Sequence, residues 1–194
     1  MYLECALGSM RMSPKGPNWA NAFPALTLPF LWHVTGVANE IEVAREATGT
    51  VLSYPNAPPM AVTFASTGLA IVAVEELDID EASTQYETLM DWHGVYPFCY
   101  ASDRVLGLLT QTMGNFDTAA VHFDDALTFC RKAGYRPELA WSLCDYADML
   151  LERKGDGDSE KAVAMLDESL AISTELGMRP LMEKVLSRRE ILKA

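Results

Sequence analysis

Between Asp103 and Gly134 the sequence DRVLGLLTQTMGNFDTAAVHFDDALTFCRKAG describes two helices joined by a tight turn, and the neighbouring chain repeats that unit. Val105, Leu106, Leu109 and Met113 follow one another at the spacings of an apolar helical stripe, and Gly114-Asn115 interrupts it. The period restarts with Phe116, Ala119, Ala120, Phe123, Ala126, Leu127 and Cys130, and Gly134 supplies a left-handed stop. Small residues at Gly107 and Ala119 allow two helices to approach, and the ring of Phe123 is sized to fill the space between them.

Ala119 and Ala162 lie 43 positions apart, and so do Phe123 and Leu166, Ala126 and Ser169, Leu127 and Leu170, Gly134 and Gly177, and Pro137 and Pro180. A looser copy lies upstream, where Ala82, Tyr86 and Leu89 precede Ala119, Phe123 and Ala126 by 37. Two helices per period of this length predict a solenoid of stacked hairpins. The expected fold is therefore all-α, a right-handed superhelix of antiparallel helix pairs forming one domain over residues 1–194. Its divisions are divergent repeats at 1–59, repeat units at 60–97, 98–134 and 135–177, and a terminal helix at 178–194.

Along the chain, Met1–Met10 has a helix-like pattern that begins abruptly, and SPKGPN at 13–18 reads as a turn. An apolar helix from Trp19 to Val34 should bend near Pro29 and end at Gly36. The next helix, Ala38 to Leu52, turns Ile41, Ala44, Thr48 and Val51 inward. After the loop SYPNAPP comes a helix from Met60 to Glu75, a turn at Leu77-Asp78, and a helix capped by Asp80. Pro137 opens a further helix, in which Trp141 and Tyr146 are expected to cluster with Tyr135 at one junction between repeats.

The formal charge of −12, with no Lys or Arg between Arg45 and Arg104, opposes contact with nucleic acid or anionic lipid. Arg179, Lys184, Arg188, Arg189 and Lys193 make the last helix locally basic, which reads as a solvated end. The longest apolar run, Phe23–Val34, holds two prolines and is shorter than the roughly 20 residues of a membrane span. Cys5, Cys99, Cys130 and Cys144 share no metal-ligand spacing, and the first ten residues do not form a signal peptide. A cytoplasmic protein is expected.

Candidate chemistry is sparse. His33, His93 and His122 share neither a helix face nor a ligand spacing, and only His93 with Cys99 offers a base and nucleophile in one connector. Asp156-Gly157-Asp158-Ser159-Glu160 imitates the start of a calcium loop, but Lys161 and Asp167 occupy the positions that need Gly and Glu. The sequence predicts no catalytic residue, no metal and no cofactor, with a hydrolase using His93 and Cys99 as the remote alternative.

Leu106-Gly107 followed by Ala119, Phe123 and Ala126 resembles the tetratricopeptide repeat, although Leu69-Ala70 and Tyr146-Ala147 stand for its Leu-Gly pair elsewhere. With GYRPELAW, Asp145-Tyr146-Ala147 and LDESLAISTELGMRPL, the chain from Met60 onward resembles the MalT-like C-terminal repeat region of large bacterial signalling proteins. In those proteins a nucleotide cyclase or LuxR-type DNA-binding head and a P-loop ATPase domain precede the repeats, and this chain carries none of these segments. The resemblance implies a concave groove lined by the first helix of each pair. Its register selects Phe64, Thr67, Ile71 and Glu75, then Arg104, Leu108, Gln111 and Thr112, then Trp141, Cys144, Asp148 and Glu152. It implies a binding module for a protein or peptide segment or a small effector in bacterial signalling. A self-associating repeat protein, pairing through the Met1–Met10 end, or a detached tail of a larger regulator is the alternative.

Overall fold

The computed structural model describes residues 16–38, 40–97 and 100–191, which form nine α-helices, one 3-10 turn and no strand. Met1–Met10, Cys5, Cys99, Lys193 and much of the 13–18 turn lie outside the described residues. The chain divides into two compact units, Met1–Asp91 and Trp92–Ala194, so the boundary falls inside the expected 60–97 repeat. The first contains α1 (Trp19–Thr35), α2 (Ile41–Leu52), α3 (Pro59–Glu76) and α4 (Ile79–Leu89). The second contains α5 (Ser102–Thr112), α6 (Phe116–Ala133), α7 (Arg136–Arg153), α8 (Asp158–Leu176) and α9 (Arg179–Ile191). Within each unit every helix packs on the next, and the first also packs on the third, which is the contact pattern of stacked hairpins.

The stops are local chemistry. Gly36, Gly134 and Gly177 end α1, α6 and α8 with φ of 70°, 74° and 67°, a region that costs glycine no Cβ clash. Leu77 ends α3 at φ 56° without that advantage. Asp78, not Asp80, caps α4, because its Oδ1 accepts the Glu81 N–H at 3.1 Å while Asp80 already lies in the first helical turn. Asp158, the first residue of α8, reaches back to the end of α7. Its carboxylate accepts Arg153 Nε and Nη2 at 2.8 and 2.7 Å and the Gly155 N–H at 2.8 Å. The hydrogen-bonded Arg153 holds its pKa down at about 2.

The 43-residue register reappears in space. Ala119, His122, Phe123, Ala126 and Cys130 are buried on α6, and Ala162, Met165, Leu166, Ser169 and Ser173 are buried at the matching positions of α8. A Cβ on Gly107 would stand 3.0 Å from the Phe123 ring, so α5 and α6 meet at the expected glycine. Phe123 stacks in turn on Tyr146 of α7 at 5.2 Å. Cys130 and Cys144 are buried, and desolvation pushes each thiol up to about 12, which makes them core residues.

In the first unit α1 covers α3. Pro29 has no N–H to give the Ala25 carbonyl one turn earlier, and Gly68 of α3 lies against that carbonyl so closely that a Cβ would stand 1.9 Å from its oxygen. The contact is of the Cα–H···O kind, available only to glycine at this approach. Helix α3 has the length and composition to cross a membrane, yet 61% of it is buried inside the protein, as a core helix is. Three of its four predicted groove residues are part of that core, and Glu75 is half-buried. Phe64 packs edge-on to Trp19 and Phe23 at 5.6 and 5.7 Å, and Thr67 and Ile71 are fully buried. Glu75 Oε1 lies 2.6 Å from His33 Nδ1. Phe64, Thr67 and Ile71 are therefore core residues and do not line an open groove, because α1 packs on this helix.

Gly68→Ala should destabilise the first unit by about 1–3 kcal/mol or more, since backbone and not a movable side chain meets the new methyl. Phe123→Ala should cost about 3–5 kcal/mol through the cavity it leaves. Urea unfolding followed by helical circular dichroism measures both, and an unchanged midpoint for either would contradict the packing described.

Candidate functional site

Helices α5 and α7 are the first members of their hairpins, and α9 follows the second hairpin with basic side chains that reach α7. Arg104 of α5 is buried, as are Glu138 and Asp145 of α7. Its Nε donates to Asp145 Oδ2 at 2.7 Å, and its Nη1 donates to both Glu138 oxygens at 3.3 and 3.2 Å. The Ala101 N–H also donates to Glu138 Oε1 at 2.8 Å, fixing the start of α5 to the same carboxylate. Burial opposes the Arg104 charge, but Glu138 and Asp145 outweigh it and raise its pKa above the ordinary value.

Asp145 has a second partner. Lys184 Nζ of α9 donates to its Oδ1 at 3.1 Å and stands 4.0 Å from Asp148 Oδ2. Desolvation lowers the Lys184 pKa, but Asp145 overrides it and pushes it up to about 12. One turn beyond, Arg188 Nε donates to Asp148 Oδ1 at 2.8 Å. Trp141 lies one turn before Asp145, with the Arg104 guanidinium 5.6 Å and the Lys184 ammonium 5.7 Å from its ring centroid. At the other end Gln111 Nε2 donates to Glu152 Oε2 at 2.7 Å.

The predicted groove residues therefore divide. Gln111, Thr112, Trp141 and Asp148 are partly exposed and Glu152 is exposed, whereas Leu108, Arg104 and Cys144 are buried and form the core and the lock between helices. Sequence reading placed Arg104 in the groove because the repeat register concerns helix faces and carries no information on partner charges. The basic residues of the last helix also need correcting: Lys184 and Arg188 close onto α7, and Arg189 Nη2 pairs with Asp167 at 3.0 Å. The aromatic residues do not share one junction. Trp141 faces the cations, Tyr146 stacks on Phe123, and Tyr135 stacks on Tyr96 at 4.4 Å.

Two of the histidines converge on one aspartate, an arrangement that sequence reading missed. His93 Nδ1 lies 2.5 Å and His122 Nδ1 3.2 Å from the same oxygen, Asp103 Oδ1, although these residues come from a connector and two helices. Linear spacing could not find it, because the fold and not a helix period brings the three together. Cys99, the residue paired with His93 in the remote hydrolase alternative, is outside the described residues.

Residues 99–175 match the family model described as Tetratricopeptide repeat, a stretch that takes in α5, α6, α7 and nearly all of α8. Comparison with curated proteins finds no match, and comparison with solved structures finds none either. The chain thus contains a tetratricopeptide-repeat region, and repeats of this kind point to a protein-interaction module.

Arg104→Ala should destabilise the second unit by about 3–5 kcal/mol, because it leaves two buried carboxylates without their shared cation. Gln111→Ala, which breaks one surface hydrogen bond, should stay within about 0.5 kcal/mol. Comparison of the two urea midpoints tests whether the face is locked at Arg104, and equal effects would deny it.

Proposed function

We propose that the α5–α7–α9 face of the second unit holds an extended segment of a partner protein. The chain then works as a non-catalytic regulatory module of bacterial signalling in the cytoplasm. The observation that carries this reading is the tetratricopeptide match over α5 and α7, two of the three helices that build the face. What the face offers is consistent with a peptide: a half-buried indole at Trp141, neutral hydrogen-bonding groups at Gln111 and Thr112, and charges of both signs at Asp148, Glu152 and Arg188. Such a mixture suits main-chain and side-chain recognition together. The balance of signs disfavours a purely anionic ligand such as a nucleic-acid backbone.

A test must leave the lock intact, so it uses positions outside Arg104, Glu138, Asp145 and Lys184. The double variant Thr112→Glu with Glu152→Lys should keep the native helical signal and melting temperature. Its affinity for a partner captured by the intact protein should fall at least about tenfold by titration calorimetry, the equivalent of about 1.4 kcal/mol. Undiminished affinity would place the partner on another surface.

A further inference from the structure

His93 lies at the start of the connector that leads into α5, Asp103 in the first turn of α5, and His122 in the middle of α6. Two imidazole nitrogens converge on one carboxylate oxygen, and the three prospective ligand atoms lie within 4.8 Å of one another. The second oxygen, Asp103 Oδ2, is held by the Gly94 N–H at 2.8 Å, which leaves Oδ1 aimed at the rings. Those rings stand edge to face, 5.8 Å apart and inclined by 73°. A backbone bond from the Ser102 N–H to the Val95 carbonyl at 3.1 Å closes the connector, so His93 is positioned from both ends. The side chains of Asp103 and His122 are 3% and 6% exposed, and that of His93 is 48% exposed.

We propose that His93, Asp103 and His122 form a binding site for a divalent first-row transition ion of the Zn(II) class. Ligands sharing a tetrahedral ion at about 2.0–2.1 Å stand about 3–4 Å apart, a separation within the span of these three donors. The donor set selects the ion: two imidazoles and one carboxylate suit zinc, cobalt, nickel or copper, whereas calcium and magnesium require mainly oxygen. Without metal, each neutral ring can present its Nδ1–H to Asp103. With metal, the ring proton resides on Nε2, and Nδ1 turns its lone pair to the ion that takes the place of the two hydrogen-bonding protons. Gly94 becomes the outer support of the carboxylate ligand. Three protein ligands leave a fourth position for water or for a partner's donor, on the side where His93 meets solvent. The ion would tie the connector to the α5–α6 hairpin and stabilise the second unit against unfolding.

The test uses the purified full chain without an affinity tag. Zn(II) titration by calorimetry should show one ion per chain, and Co(II) should give visible bands of nitrogen and oxygen ligation without thiolate charge-transfer absorption. His93→Ala should weaken binding by at least about tenfold, because losing an outer support alone costs about 10–100-fold. Asp103→Asn should weaken it too. Since Asp103 is buried, its helical signal must first match the parent, while the exposed His93 position gives the decisive variant. Zn(II) should raise the melting temperature of the parent and not of His93→Ala. The assignment is overturned by absence of binding, by binding that survives His93→Ala, or by cobalt spectra dominated by thiolate.

Discussion

Arg104 carries a charge that burial opposes, and two carboxylates of the following hairpin keep it in place. Apolar helix faces tolerate some sliding, because a methyl group that leaves one neighbour finds another. A guanidinium shared between Glu138 and Asp145 has few alternative geometries. The same carboxylate of Asp145 is divided between Arg104 on one side and Lys184 on the other, so α5, α7 and α9 are aligned through a single turn of the middle helix. Such an arrangement gains less net stability than its Coulomb energy suggests, since each charge has lost its water. Its contribution lies in fixing one alignment of the stack.

This alignment decides what the face can present. Side chains that the repeat register directs toward a ligand are partly committed to neighbouring helices, and the indole of Trp141 is flanked by the same two cations that hold Asp145. The more accessible groups of this face are Gln111, Thr112 and Glu152, the half-buried Trp141, and the Asp148–Arg188 pair. These rim residues lie apart from the lock, so on the proposed reading recognition and stability would draw on different residues of one surface.

Much of the fold could be read from residue spacing because stacking is periodic. The offset between Ala119 and Ala162 also relates the buried positions of α6 and α8, and the small residue at 107 faces the ring at 123. Apolar periodicity says nothing of how charges pair between repeats, and so Arg104 read as ligand-facing and Lys184 as solvated. A signal was present: Arg104 and Asp145 are 41 positions apart, and Asp145 and Lys184 are 39 apart, opposite charges at separations between the two repeat spacings. The cover of α3 by α1 was hidden because α1 is apolar nearly all round, with Pro24 and Pro29 inside it, and gives no clean stripe. The meeting of His93, Asp103 and His122 depends on a closed connector, which has no period to read.

The close crossing of α1 and α3 has a consequence for how the sequence can drift. A residue with an N–H at position 29 could offer a donor to the Ala25 carbonyl, whereas any side chain at position 68 would strike that carbonyl first. The two positions are therefore unequal. Descendants of this chain can lose the proline while the glycine persists, but the glycine can be replaced only after the helices have moved apart. Ancestry should show position 68 as the slower of the pair to change.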